Sequence, residues 1–144
     1  MQTTPDNASK SPGERLPVSK GVPEGTPGTS LRKLLIVDDE PDGAEFAAVL
    51  LRSHGLTVIV VHSANEALEA LQREKDIDAV LSDIIMPGMT GLQLADAVRA
   101  MYPSTRIVLM SGYELPELLR DRERDYLLVE KPYKMDTLLK LLRA

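Results

Sequence analysis

Five polar side chains of the kinds used in phosphoryl transfer stand at the ends of short apolar runs in the sequence. They are Asp38, Asp39, Asp83, Ser111 and Lys131. Mg²⁺ prefers carboxylate and carbonyl oxygens as ligands, and a lysine ammonium or a serine hydroxyl can contact phosphoryl oxygens. Carboxylates brought together repel one another unless a cation lies among them. If the fold gathers these residues, they predict a Mg²⁺ site at which a phosphoryl group is placed on an aspartate.

The apolar runs before these residues are typical of buried parallel strands, because they are short, aliphatic and bounded by turn residues. With one further run, the pattern predicts five strands: Lys33–Val37, Leu56–Val61, Ala79–Ser82, Arg106–Met110 and Leu127–Glu130. Parallel strands bring their carboxyl ends to one edge of the sheet, where ligands bind in open α/β proteins. We therefore expect the five polar residues to meet at that edge.

The segment after the first strand is predicted to be a helix that begins at Pro41, because proline is favoured in the first helical turn. This helix carries Phe46, Val49 and Leu50 on one apolar face. Gly55 is suited to end it in the left-handed conformation that glycine adopts readily.

Two capping boxes mark the starts of the second and third helices. In each box a hydroxyl side chain, and an acidic or amide side chain three residues later, satisfy free backbone N–H groups. The pairs are Ser63 with Glu66 and Thr90 with Gln93, and the helices are predicted to run to about residues 75 and 101.

Two further helices complete the pattern: a short, charge-rich helix between about Pro116 and Arg124, and a last helix over Lys134–Arg143. The last helix is expected to turn four leucines inward, namely Leu138, Leu139, Leu141 and Leu142. Five strands alternating with five helices are typical of an α/β fold. Right-handed crossovers make a flavodoxin-like, doubly wound parallel sheet with strand order 2-1-3-4-5 the most economical topology.

Composition limits the chain to one domain and narrows its partners. The 144 residues include no Cys, and the formal net charge of −5 gives no general attraction for nucleic acid. Residues 1–30 are rich in Pro, Gly, Ser and Thr and are predicted to be a flexible tail or linker, which leaves residues 31–144 for the domain. The sequence has no membrane-length apolar run and no signal-peptide core, which predicts a cytoplasmic location.

Some of these features also have a plainer interpretation. Asp83 alone could simply cap the turn that follows it, as aspartates before Pro-Gly turns often do. The two histidines, His54 and His62, have no ligand spacing to each other, so surface positions are expected for both.

Four motifs in this order resemble the receiver domain of two-component response regulators, over residues Leu31–Ala144. They are Val37–Pro41, Ser82–Met89, Met110–Tyr113 and Glu130–Tyr133. Each motif alone is ordinary, since an acidic pair before proline often starts a helix and Ser-Gly or Lys-Pro often marks a turn. Their spacing as successive strand ends carries the resemblance.

The resemblance implies that Asp83 accepts a phosphoryl group from a phosphohistidine of a sensor histidine kinase or a phosphotransfer protein. It implies that Mg²⁺ is bound directly by Asp39 and Asp83, mostly through water by Asp38, and by the backbone carbonyl of Ile85. It also implies that Lys131 pairs with the acids at rest and with the phosphoryl group afterwards.

The resemblance further implies a conformational switch, in which the Ser111 hydroxyl moves toward the phosphoryl group. The family often has Phe or Tyr where this chain has Leu128, and Tyr126, which should point to the same side of the strand, could substitute. Tyr113 and Ile85 flank the path of an attacking water. Because both side chains are bulky, slow self-dephosphorylation is expected.

The function implied is a phosphorelay signalling module, stand-alone or part of a hybrid kinase, that catalyses only its own phosphorylation and dephosphorylation. Its output would pass through a downstream protein partner or onward phosphotransfer, without direct contact with nucleic acid or membrane. Two other functions stay open. Phosphatases of the aspartyl-phosphate type carry an Asp-x-Asp pattern after their first strand. Here Asp83–Ile85 lacks the second acid and follows the third strand. A nucleotide-binding protein would need a Gly-rich loop, and none follows Val37.

Overall fold

A computed structural model of the protein describes residues 30–112 and 125–143. Its five strands form one parallel sheet in the order β2-β1-β3-β4-β5, which confirms the predicted α/β topology. The strands are β1 (Lys33–Val37), β2 (Thr57–Val61), β3 (Ala79–Asp83), β4 (Arg106–Ser111) and β5 (Leu127–Glu130). Residues 1–29 of the predicted tail, Tyr113 and the charge-rich helix between Pro116 and Arg124 lie outside the described residues.

Four helices are present in the described residues: α1 (Pro41–Arg52), α2 (Ala64–Arg73), α3 (Gly91–Met101) and α4 (Met135–Arg143). Gly55 adopts a positive φ of 89° in the turn after α1, as its sequence position predicted. Across residues 30–112 and 125–143, no helix has both the length and the apolar character needed to cross a membrane.

Two apolar cores cover the two faces of the sheet. One core packs α2 and α3 against the side that carries Leu35 and Val37, and the other packs α1 and α4 against the side that carries Leu34 and Ile36. This alternation follows from the period of two in a strand. In α4, Leu138, Leu139 and Leu142 are buried and Leu141 is partly buried in the second core, as expected.

The apolar face predicted for α1 exists, but it does not join the core. Phe46, Val49 and Leu50 are 68%, 59% and 36% exposed. The side of α1 that meets the sheet is made instead of small residues and one leucine: Ala44, Ala47, Ala48 and Leu51. Alanines allow the helix to lie close to the sheet, so the larger apolar side chains are left facing solvent.

One of the two predicted capping boxes is complete and the other is altered. Thr90 and Gln93 each accept a hydrogen bond from the other's backbone N–H, at 3.2 and 2.9 Å. The Ser63 hydroxyl accepts from the Glu66 N–H, but the Glu66 carboxylate accepts from the His62 N–H instead of the Ser63 N–H. The prediction of a reciprocal capping box at Ser63 was therefore wrong by one residue, because the Glu66 carboxylate reaches back past Ser63 to the His62 N–H.

Candidate functional site

Three aspartates meet at the carboxyl edge of the sheet. Carboxylate oxygens of Asp38, Asp39 and Asp83 lie within 4.8 Å of one another. They meet because β1 and β3 are neighbours in register, with Val37 level with Ser82, so the residues that follow them are level too. Asp38 and Asp83 are 4% and 8% exposed, whereas Asp39 is exposed.

A lysine and a serine complete the group of five residues that the sequence singled out. The Lys131 ammonium lies 2.8 Å from Asp83 Oδ1 and 3.7 Å from Asp38 Oδ2. Ser111, at the end of β4, is buried, and its carbonyl accepts a 2.8 Å hydrogen bond from the Lys131 backbone N–H. The carboxyl ends of β1, β3, β4 and β5 thus contribute to one acid edge, which we define as Asp38, Asp39, Asp83, Ser111 and Lys131.

The electrostatics of the acid edge oppose the ionisation of Asp83. The pKa of the Asp83 carboxyl is raised from 3.8 to about 7, because burial and the neighbouring Asp38 raise it by more than Lys131 lowers it. Burial also acts to lower the pKa of the Lys131 ammonium, but its hydrogen bond with Asp83 and the nearby carboxylates outweigh this, so that pKa is raised overall. The single lysine does not neutralise the acids.

The acid edge fits a hard divalent cation. All of its candidate ligands are oxygens, which Mg²⁺ prefers over nitrogen or sulfur. Because Asp39 is exposed, the acid edge is accessible from solvent. Burial, and after it the neighbouring Asp38, raises the pKa of Asp83 and so disfavours its negative charge, which a bound cation would stabilise.

The other residues that the sequence predicted for this region lie at its margins. The Ile85 side chain is 53% exposed beside the acid edge, while Ile84 and Met86 are buried. Tyr126 and Leu128 both face the core beneath α2 and α3, as strand alternation predicted. The proposed ligand role of the Ile85 carbonyl and the switch roles of Tyr126 and Leu128 stay predictions.

Tyr126 is held firmly against α3. Its hydroxyl donates a hydrogen bond to the Asp96 carboxylate, and the Arg99 guanidinium lies 4.0 Å from the centre of its ring. Both partners are on the same helix, so Tyr126 connects the start of β5 to α3. This anchoring is the feature that any inward rotation of the ring would have to break.

Sequence reasoning missed the support that α3 gives to Asp83. The Gly91 N–H donates a 2.8 Å hydrogen bond to the Ile84 carbonyl, and a Cβ atom at Gly91 would collide with the Asp83 carbonyl oxygen. The Ser82 hydroxyl donates to the same carbonyl at 2.9 Å. A glycine opening a helix directly after its capping residue is the only feature of the sequence that could have indicated this close approach.

Sequence reasoning also missed two residues beside the acids. His62 is exposed, as expected, yet its Nδ1 lies 2.9 Å from the Asp38 backbone carbonyl. Tyr133 is partly buried, and burial raises the pKa of its hydroxyl, with smaller effects from Lys131, Asp38 and Asp83. No spacing in the sequence indicates either contact, because each depends on how loops from different strands meet.

A doubly wound parallel sheet that gathers acids, a serine and a lysine at its carboxyl edge defines a flavodoxin-like α/β domain with its functional site at that edge. Comparison with known families makes the assignment more specific. Residues 34–143 match the family described as the response regulator receiver domain. The chain belongs to this family, whose general function is to accept a phosphoryl group in two-component signalling.

Curated relatives from several bacteria share this domain. The chain is 32% identical over 119 residues to the DNA-binding response regulator MtrA of Mycolicibacterium smegmatis, which covers 81% of this chain and 51% of MtrA. It is 30% identical over 128 residues to the sensor protein TorS of Escherichia coli, which covers 88% of this chain and 14% of TorS. The chain thus spans about half or less of the length of these relatives.

Solved structures with the same fold include two of similar size. The Vibrio cholerae chemotaxis protein CheY4 aligns with a TM-score of 0.68 and 29% identity, over 78% of this chain and 97% of that one. TrrA from Thermotoga maritima, in complex with Mg(2+)-BeF, aligns with a TM-score of 0.67 and 27% identity, over 76% and 95% of the two chains.

Proposed function

We propose that this domain accepts a phosphoryl group on Asp83 from the phosphohistidine of a sensor histidine kinase or phosphotransfer protein, in a reaction that requires Mg²⁺. The observation that carries the proposal is the environment of Asp83. Asp83 is 8% exposed, and its carboxyl lies among two other acids, 2.8 Å from the Lys131 ammonium. A buried acid whose charge is poorly compensated is poised to gain from a reaction partner that brings a cation.

Asp83 would act as the nucleophile. Its carboxylate oxygen forms a bond to phosphorus while the bond from phosphorus to the donor imidazole nitrogen breaks. Asp39, Asp83 and the Ile85 carbonyl would hold Mg²⁺ directly and Asp38 mostly through water. The ion, when bound, supplies positive charge for the phosphoryl oxygens.

Lys131 and Ser111 would respond to the product. The Lys131 ammonium exchanges its Asp83 partner for the new phosphoryl oxygens, and the Ser111 hydroxyl moves to donate to them. The hydrogen bond from the Lys131 N–H to the Ser111 carbonyl supports a joint movement of the two strand ends. The resulting change would be transmitted by protein contact or onward phosphotransfer, and the domain would catalyse only its own phosphorylation and dephosphorylation.

The exposed face of α1 supports a protein as the donor. α1 begins two residues after Asp39, and its exposed apolar stripe starts at Phe46, in the second turn, and runs away from the acid edge to Val49 and Leu50. Side chains at this three- and four-residue spacing suit contact with a helix of a partner. The cytoplasmic location, the slow self-dephosphorylation and the absence of direct nucleic-acid contact stay predictions.

The chemistry is tested with a small phosphoryl donor. We expect the protein, given acetyl phosphate and Mg²⁺, to gain one acid-labile phosphoryl group by intact mass, and Asp83→Asn to gain none. Asp78→Asn, which changes an acid at the other edge of the sheet, is the matched control and should label normally. Labelling of Asp83→Asn would refute the assignment, and continuous turnover of a phosphomonoester would favour a phosphatase instead.

The docking face is tested by comparing two donors. Phe46→Ser should leave labelling by acetyl phosphate unchanged, but slow transfer from a phosphorylated histidine kinase about tenfold, as expected for a central apolar contact. Glu69→Ser, at an exposed position of α2, is a control on a different surface. Equal slowing with both donors would show that Phe46 affects the site itself and would argue against this docking face.

A further inference from the structure

We propose that His62 is a positioning residue for the Mg²⁺ ligands, because it fixes the peptide unit that joins Asp38 to Asp39. This inference rests on the proposed function, since it assigns a role toward the metal that the acid edge would hold. His62 has no role in the reaction as derived above. It lies after β2, on the side of β1 away from Asp83.

The contact is a hydrogen bond with a defined direction. His62 Nδ1 lies 2.9 Å from the Asp38 carbonyl oxygen, and because a carbonyl can only accept, the ring Nδ1 is the donor. His62 is itself held, since its backbone N–H donates to Glu66 Oε1 at 2.8 Å. The Asp38 N–H donates to the Val61 carbonyl at 3.1 Å, so two bonds join this turn to the end of β2.

The bond acts on Asp39 through the geometry of the peptide. The carbonyl of Asp38 and the N–H and Cα of Asp39 belong to one rigid plane, so holding the carbonyl also fixes the position of the Cα atom that carries the Asp39 side chain. The Asp38 carboxylate has further support from the Glu40 N–H and from Lys131. Within residues 30–112 and 125–143, the Asp39 carboxylate has no hydrogen bond or ion pair. Its orientation therefore depends on the backbone that His62 holds.

The chain contains a matched control for this bond. His54 is also exposed, and its Nδ1 lies 2.9 Å from the Leu50 carbonyl. That bond follows the end of α1, at the opposite end of the helix from the acids. Removing either imidazole takes away the same kind of bond at the same distance, but only the one at His62 supports a proposed metal ligand.

The test is a calorimetric titration of the full chain with Mg²⁺ at about pH 8. We expect His62→Ala to bind Mg²⁺ about three- to tenfold more weakly than wild type, because outer contacts of metal ligands commonly change affinity by this much or more. His54→Ala should bind like wild type. His62→Asn should restore the affinity to within about twofold, because its amide nitrogen occupies nearly the place of Nδ1.

A second readout separates positioning from general stability. In the metal-free protein, the backbone amide resonance of Asp39 should shift in His62→Ala and return in His62→Asn, while thermal unfolding shows similar small changes for His62→Ala and His54→Ala. Equal Mg²⁺ affinity of wild type and His62→Ala would overturn the inference alone. Rescue by His62→Gln but not by Asn would assign the role to Nε2 and overturn it too. Failure of the wild type to bind Mg²⁺ would overturn the proposed function together with this inference.

Discussion

The two edges of the sheet each hold a lysine among acids, but the two clusters have opposite electrostatics. At the amino edge, the Lys33 ammonium lies 2.7 Å from Glu74 and 3.0 Å from Asp76. We call these three residues the Lys33 cluster. At the carboxyl edge, the Lys131 ammonium contacts the Asp83 and Asp38 carboxylates of the acid edge. Residue types and distances alone do not distinguish the two clusters.

The pKa values do distinguish them. The hydrogen bonds that the Lys33 ammonium donates to Glu74 and Asp76 raise the pKa of Lys33, and the bond to Asp76 lowers the pKa of Asp76, so the charged forms are favoured. At the acid edge, the pKa of Asp83 is raised to about 7, first by burial and then by Asp38, so the neutral form is favoured. Opposite charges that water also solvates can stabilise one another, whereas buried acids with too little positive charge nearby remain destabilised. The acid edge, where negative charge is poorly compensated, is therefore the cluster suited to chemistry.

Of these substitutions, Gly91→Ala should lower stability the most. It should displace Asp83 without altering any charge of the acid edge. The new Cβ would collide with the Asp83 carbonyl, which is backbone and cannot move aside freely. We expect the free energy of unfolding to fall by about 3 kcal/mol, at the upper end of the cost of overpacking. Urea unfolding measures the loss, and labelling by acetyl phosphate should fall as Asp83 is displaced.

Gly43→Ala is the control for that substitution. Its Cβ would lie 3.9 Å from Asp38 Oδ2, which is ordinary contact. Because alanine is favoured over glycine inside a helix, this variant should be more stable by about 0.5–1 kcal/mol. Equal losses from the two variants would show that the close approach of α3 to Asp83 is unimportant.

Asp83→Asn should remove the electrostatic conflict and make the metal-free protein more stable at high pH. The folded-state pKa of Asp83 is raised from 3.8 to about 7, so the folded protein retains a proton that the unfolded chain releases. Stability of the wild type therefore falls as pH rises through this window. We expect the variant to exceed wild type by about 2 kcal/mol at about pH 8, and to show little difference near pH 4.

Chemical unfolding in EDTA at both pH values measures this gain. Addition of Mg²⁺ should then stabilise the wild type more than the variant, because the cation binds the ionised acids. A variant less stable than wild type at the higher pH would mean that the contact with Lys131 outweighs the burial of charge, and would remove the contrast between the two edges.

Asp78→Ala should have the smallest of these effects and should sharpen the contrast from the amino edge. Asp78 Oδ2 accepts hydrogen bonds from the backbone N–H groups of Arg32 and Lys33, each at 2.9 Å. Loss of this acceptor should cost about 1 kcal/mol of stability, because the half-exposed donors can turn to water. Mg²⁺ affinity and phosphoryl labelling should be unchanged, and a change in either would show that the two edges are coupled.

The fold and the composition of the acid edge could be predicted because they depend on local patterns. Apolar runs that end in Asp38, Asp83 or Lys131 place polar groups at strand ends, and parallel pairing then brings those ends together. The Thr90 and Gln93 capping box was equally local, and both of its bonds are present.

What could not be predicted depends on distances between elements. The direction of the α1 stripe at Phe46 depends on how closely its alanines approach the sheet, and periodicity does not give that distance. The bond between His62 and the Asp38 carbonyl joins two loops that only the sheet brings together. The shift of the Glu66 carboxylate to the His62 N–H depends on side-chain reach at a strand end.

The position of Lys131 after the last strand has a consequence for how the protein is made. The acids Asp38 and Asp83 leave the ribosome well before Lys131 does, and β5 occupies the outer position of the sheet beside β4. A nascent chain in which β5 has not yet paired with β4 therefore lacks the ammonium partner of these acids. The proposed ability to accept a phosphoryl group would then depend on complete synthesis and on the docking of β5, so incomplete chains would not accept one.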